Sequence, residues 1–214
     1  MRKDSLVYVV HRWIARTLFS TVYRIEIERE DPRAIEGPAV ILPKHQYWTD
    51  IPVVGLSFDE PLCFVAKEEL FRFPGVRSYL RILGGIPLDR NHPIRTFTSF
   101  RCLLSRLNGA EKAVLFPEGT YFRGKVGPGK SRLVRMILGF QEESGRRIPF
   151  VPMGIRYGER KGWKRTIEVR IGHPLFAEKA EDAAELMHRV MEEIGRLSRL
   201  PKSNGVSIFE FSIL

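Results

Sequence analysis

The stretch Ala39-Val40-Ile41-Leu42-Pro43-Lys44-His45-Gln46-Tyr47-Trp48-Thr49-Asp50-Ile51-Pro52 decides the fold, because it reads as a strand, a turn and the start of a helix. The apolar run Ala39 to Leu42 is the strand. Thr49 is expected to cap a helix beginning at Asp50, with Pro52 in the first turn, where proline is tolerated. The same stretch sets His45 and Asp50 five positions apart. Five helical positions turn a side chain by about 500°, which leaves the pair roughly 140° apart, and in a strand they would face opposite sides. Only a turn lets them converge. An ionised Asp50 aimed at one imidazole nitrogen orients the ring and makes the other nitrogen a stronger base. The alternative on these residues alone is a surface histidine beside a helix-start aspartate.

Outward from this unit, short apolar runs alternate with helical patterns. Strands are expected at Tyr23 to Ile27, Ala39 to Leu42, Leu62 to Ala66, Ile86 to Leu88, Ala113 to Phe116, Phe150 to Ile155 and Thr166 to Ile171. Helices are expected near Asp50 to Leu56, Gly75 to Leu83, Pro93 to Leu107, Lys130 to Glu142 and Glu181 to Leu200. The alternation predicts a single α/β domain, a mixed sheet of about seven strands covered by helices, with chemistry in loops at strand ends. Residues 1–22 are expected to form an amphipathic helix at a membrane interface, 23–200 the α/β domain and 201–214 an apolar tail too short to span a bilayer. Within the first helix, His11, Arg12 and Arg16 interrupt the apolar run, which is costly in a spanning segment and fits headgroup contact. The other arrangement is a helix on the domain core with its arginines in water. No small-residue cleavage site follows, so a signal peptide is not expected.

The 214 residues include 43% hydrophobic positions, enough for one core. With 35 basic and 25 acidic side chains the formal charge is +10, which suits an anionic partner without choosing among phosphorylated substrate, acidic membrane and nucleic acid. Cys63 and Cys102 form neither a disulfide framework nor a metal cluster, so a reducing compartment and two core cysteines are expected. His92, His173 and His188 lack metal-ligand spacing, and no metal is expected.

A second stretch, Leu115-Phe116-Pro117-Glu118-Gly119-Thr120, is an apolar strand that stops at proline, carboxylate and glycine. The glycine lets a ligand approach the backbone, and its N–H is a candidate to hold a developing oxyanion. In chain order, His45-x4-Asp50, Gly85-Ile86-Pro87-Leu88-Asp89-Arg90, Phe116-Pro117-Glu118-Gly119-Thr120 and Ile148-Pro149-Phe150-Val151-Pro152 together resemble the glycerolipid acyltransferases. That family includes lysophosphatidic acid and glycerol-3-phosphate acyltransferases, and the similarity runs from about Tyr23 to Tyr157.

The resemblance implies an enzyme on the cytoplasmic face of a membrane, peripheral or monotopic. It would move a fatty acyl group from acyl-CoA or acyl-ACP, as co-substrate, to a lysophospholipid hydroxyl, with no cofactor. It further implies His45 as general base and Asp50 as its orienter, with Arg90, Glu118, Gly119 and Thr120 holding the acceptor and the transition state. A thioester is reactive enough for direct attack by an activated hydroxyl, and the lack of a Gly-x-Ser-x-Gly elbow agrees with that route. Two positions depart from the family. Lys44 stands where asparagine is usual, and Tyr121 stands where an arginine is expected to grip phosphate. Arg123, Lys125 and Lys130 are close enough in sequence to replace that arginine, and a different lysolipid acceptor is the other outcome.

Three other readings compete. Gly124-Lys125-Val126-Gly127-Pro128-Gly129-Lys130-Ser131 satisfies the phosphate-loop pattern Gly-x4-Gly-Lys-Ser, although no strand leads directly into it. It could also hold the acceptor's or donor's phosphate beside Lys130, at the start of the next helix. The run Arg156, Arg160, Lys161, Lys164 and Arg165, with Tyr157 and Trp163, reads as a basic hairpin facing anionic lipid. Nucleic acid is its less favoured partner, since no recognition motif accompanies it. A non-enzymatic lipid-binding protein is the third possibility.

Overall fold

A computed structural model describes residues 5–31, 35–89 and 92–203. In chain order the elements are α1 (Ser5–Val22), β1 (Tyr23–Arg29), β2 (Ala39–Pro43), α2 (Asp50–Leu56), β3 (Leu62–Lys67), α3 (Pro74–Ile82), β4 (Ile86–Leu88), α4 (Pro93–Asn108), β5 (Lys112–Leu115), α5 (Arg132–Ser144), β6 (Phe150–Lys161), β7 (Lys164–Ile171) and α6 (Ala183–Ser198). Proline opens α3 and α4, where a missing N–H costs nothing. Gly145, at φ +66°, closes α5 in the left-handed conformation.

The seven strands form one mixed sheet in the order β1-β7-β6-β2-β5-β3-β4. Among the described strands only the β6–β7 pair is antiparallel. Every residue of β2 is buried, as expected of a parallel strand covered on both faces. Val40 and Leu42 join α4, α5 and α6 on one side, while Ala39 and Ile41 join Val53, Val54 and Phe58 on the other. Because β2 and β5 are parallel neighbours, with Ile41 opposite Val114, the loops after them leave the same edge side by side. Those loops carry His45 and Glu118, so topology brings the two motifs together.

Three local expectations are corrected and one turn is added. Thr49 precedes α2 but makes no capping bond with its side chain, because its hydroxyl is held by Tyr157 at 2.7 Å. Helix α5 begins at Arg132, so Lys130 lies in the loop before it. A 3-10 turn, Glu68–Arg72, follows β3. Cys102 is exposed whereas Cys63 is buried, since Phe100, Leu103 and Leu107 present the inner face of α4.

Helix α1 packs Phe19 on the core and leaves Arg16 exposed, while Arg12 is half-buried. Arg12 turns inward and pairs with the Asp59 carboxylate at 2.6 Å, alongside the half-buried Ala15 and Phe19. Trp13 and Leu18 are instead 68% and 63% exposed, and Val10, Ile14 and Val22 extend the apolar surface. Among the described residues, no helix is long and apolar enough to cross a membrane. The tail beyond residue 203 and Arg90 lie outside the described residues.

Helix α6 crosses β6 at Gly154, where a Cβ would meet the Leu197 carbonyl carbon at 2.4 Å and the Ser198 nitrogen at 2.5 Å. Backbone cannot yield as a side-chain tip can. Gly154→Ala should therefore destabilise the domain by about 1–3 kcal/mol and lower its melting temperature by several degrees in calorimetry. An unchanged midpoint would mean that α6 is not held this close to the sheet.

Candidate active site

Strand β2 ends at Pro43, but its ladder continues one residue, Lys44 N donating to Met153 O at 2.8 Å. The chain then turns through Gln46 to Thr49 into α2. Asp50, fully buried, draws that turn around itself: Oδ2 accepts from the backbone N–H groups of Gln46 at 2.5 Å and Tyr47 at 2.8 Å. The same oxygen lies 3.1 Å from His45 Nδ1. Asp50 Oδ1 accepts the Tyr157 hydroxyl at 2.6 Å. Burial raises the Tyr157 phenol well above its ordinary value, and the Asp50 charge and hydrogen bond add to this. Tyr157 thus remains a donor, and since its one proton goes to Asp50, the Thr49 hydroxyl donates to Tyr157.

An anionic Asp50 requires the proton on His45 Nδ1, which leaves Nε2 as the basic nitrogen. The imidazole stacks on Phe116 with centroids 3.9 Å apart and tilts against Tyr121 at 4.4 Å. It remains 11% exposed and lines a cavity of about 150 Å³ with Ile51, Phe64, Leu70, Thr120 and Tyr121. A larger apolar groove of about 330 Å³ runs between α1, α2 and α3 and includes Trp48 of the same turn.

Lys44 and Glu118 are both fully buried and joined at 2.8 Å. The Lys44 ammonium donates to both Glu118 oxygens and to the backbone carbonyls of His45 and Phe122. Glu118 in turn accepts the N–H of His45 at 2.8 Å and of Gly127 at 2.6 Å. Burial pushes the Lys44 ammonium below its ordinary value, and the Glu118 charge opposes that shift. The carboxylate expected at the acceptor is thus occupied by internal partners, and its place is behind the dyad. Gly119, at φ +68°, closes its turn by donating N–H to Phe116 O at 3.1 Å.

The glycine-rich loop is also committed to the fold. Gly124 N donates to Gln46 Oε1, Val126 N to Pro201 O, Gly127 N to Glu118 and Lys130 N to Pro117 O. Gly127 is required because a Cβ would strike the Phe122 ring at 2.4 Å. A nucleotide phosphate loop needs those N–H groups turned toward its ligand, and these four point inward. Thr120 and Arg123 are exposed, with the Arg123 guanidinium 5.2 Å from the Tyr47 ring centroid. Lys130 lies on the far side of the Glu118-Gly119 turn, in a separate cavity with Thr96 and Arg132.

Residues 24–156 match the sequence model of the family described as Acyltransferase. The chain belongs to the acyltransferase family. Among solved structures, it is similar to the 1-acyl-sn-glycerophosphate (LPA) acyltransferase PlsC from Thermotoga maritima. The TM-score is 0.59 and the identity 24%, over 88% of this chain and 79% of that one, so the two share a fold. No curated protein matches.

Sequence reasoning about this acyltransferase missed Tyr157 and the role of Lys44. Tyr157 acts on a residue 107 positions away, with no local signal. Lys44 had one, since it replaces the family's asparagine beside His45. If the buried pair fixes the site, Lys44→Met, which strands the Glu118 charge, should cost about 3–5 kcal/mol of unfolding free energy. Denaturant titration should also show Lys44→Met/Glu118→Gln recovering part of that loss. A double variant as unstable as the single one would locate the cost elsewhere.

Proposed function

We propose that this acyltransferase moves a fatty acyl group from acyl-CoA or acyl-ACP to the free hydroxyl of lysophosphatidic acid or a related lysophospholipid. In this reading it works peripherally at the cytoplasmic face of a membrane. The observation that carries the reading is the buried Asp50 carboxylate on His45 Nδ1, which leaves Nε2 as the basic nitrogen of a ring that lines a cavity.

His45 Nε2 removes the acceptor's hydroxyl proton as that oxygen attacks the thioester carbonyl. The C–O bond forms, and the carbonyl oxygen takes up charge. Collapse restores the carbonyl and breaks the C–S bond, and the departing sulfur takes the proton from the imidazolium. Asp50 stabilises the transient cation and holds the ring, while Tyr157 and two backbone N–H groups hold Asp50. A positioned base of this kind contributes roughly 10²–10⁴-fold. The Phe116 and Tyr121 rings limit water around the imidazole, which favours transfer over hydrolysis.

The apolar groove reaching Trp48 suits the acyl chain, and the exposed apolar side chains of α1 suit the lipid interface. Tyr121 lies against the catalytic ring where the family's arginine would stand. We therefore assign the contact with the acceptor's phosphate to Arg123, beside Tyr47 at the turn carrying the dyad.

The test is transfer from a long-chain acyl thioester to a panel of lysolipids, comparing wild type with His45→Ala. Product should require His45 and fall by at least the factor a base contributes, with the melting temperature unchanged. In Arg123→Ala, the acceptor KM should rise about tenfold or more for phosphate-bearing acceptors while the donor KM stays the same. Turnover in His45→Ala equal to wild type would remove the dyad, and an unchanged acceptor KM would remove Arg123 from the headgroup site.

A further inference from the structure

The end of α1 and the β6–β7 hairpin enclose an open groove of about 520 Å³. Val22, Tyr23, Arg160 and Arg165 line it with one carboxylate, Glu159, and Arg156, whose partner across the strands is Glu168, borders it. Its shape comes from a bulge. Tyr157 pairs with Ile167, but the next pairs are Arg160 with Arg165 and Lys161 with Lys164, so β6 carries one extra residue. The bulge sets Arg160 and Arg165 directly across the strands. Like charges in that relation destabilise a sheet, and an anion between the guanidinium groups removes the penalty.

One of these arginines is already fixed in place. Arg165 Nε donates to Gly158 O at 2.8 Å, and its guanidinium lies 5.4 Å from the Tyr157 ring centroid. Tyr157 thus forms part of the groove wall while its hydroxyl holds Asp50, so the groove and the dyad share a side chain.

We propose that this groove binds the phosphate of an anionic phospholipid headgroup at a bilayer surface. The apolar side chains beside it favour a lipid over a soluble anion. Val22, in the groove wall, is the last residue of α1 and continues that helix's exposed apolar surface. Trp163, at the tip of the same hairpin, is 74% exposed between basic residues. A tryptophan beside arginines and lysines matches the headgroup layer of a membrane. The proposal rests on the membrane-associated reading above, but binding is measured without turnover, so the two can fail separately.

The experiment is co-sedimentation of the full chain with vesicles of phosphatidylcholine alone or with added phosphatidylglycerol, at physiological ionic strength. Wild type should prefer the anionic vesicles. Removing Arg156 and Arg160 together, as Arg156→Gln/Arg160→Gln, should cut that preference by about 25-fold, from about fivefold per arginine near the surface. Binding to neutral vesicles should not change. The charge-preserving Arg156→Lys/Arg160→Lys should retain most of the preference, and the single Arg160→Gln tests the site if the double variant fails to fold.

Arg101→Gln/Arg135→Gln removes the same charge from exposed positions on α4 and α5, the helices of the other face. That control should lose less than about threefold. Equal losses in the two pairs would show that net charge alone drives binding and would overturn the site. Coenzyme A displacing the wild type from anionic vesicles, but not Arg156→Gln/Arg160→Gln, would assign the groove to the donor's phosphates instead.

Discussion

The ion pair between Lys44 and Glu118 is the constraint on which the rest of the site depends. Both charges are out of water, and neither is stable there alone. Each is therefore surrounded by further partners: two backbone carbonyls on the ammonium, and the N–H groups of His45 and Gly127 on the carboxylate. Those partners lie on the loop after β2, the loop after β5 and the glycine-rich loop. One buried charge pair thus fastens the loop after β2 to two points of the long loop after β5, Phe122 and Gly127. The parallel pairing of β2 with β5 makes this possible by starting two of the loops side by side.

With the backbone of His45 pinned, Asp50 supplies the remaining order. A buried carboxylate needs several donors, and here it takes two backbone N–H groups, a phenol and the imidazole. The imidazole is then fixed at its Nδ1 edge by Asp50 and on its faces by Phe116 and Tyr121. The edge left without these contacts carries Nε2, the nitrogen of the proposed general base.

Much of the fold was legible because its signals are local. The apolar runs located all seven strands, and Ile86–Leu88 and Asp50–Leu56 fall where the pattern placed them. The five-residue spacing allowed His45 and Asp50 to meet only through a turn, and a turn joins them. What stayed hidden depends on distance in the chain. Glu118 reads as a ligand contact in its own loop and becomes a brace only when Lys44, 74 positions away, is brought to it. The phosphate-loop pattern records glycines and a lysine but not which way the N–H groups point, and here they point into the fold. For α1, periodicity revealed an amphipathic helix without revealing that Arg12 would pair with Asp59 while Trp13 and Leu18 stay exposed.

The central claim is that His45 drives direct attack of a lipid hydroxyl on a thioester. A single-turnover experiment with excess enzyme, following thioester, product and intact protein mass together, tests it most directly. The account predicts that the thioester persists until the lysolipid acceptor is added and that product then appears in step with its loss. The protein's mass should not change at any time. Thioester consumed without acceptor, with an acyl group's mass gained by the protein, would contradict the account and place a covalent intermediate in the reaction.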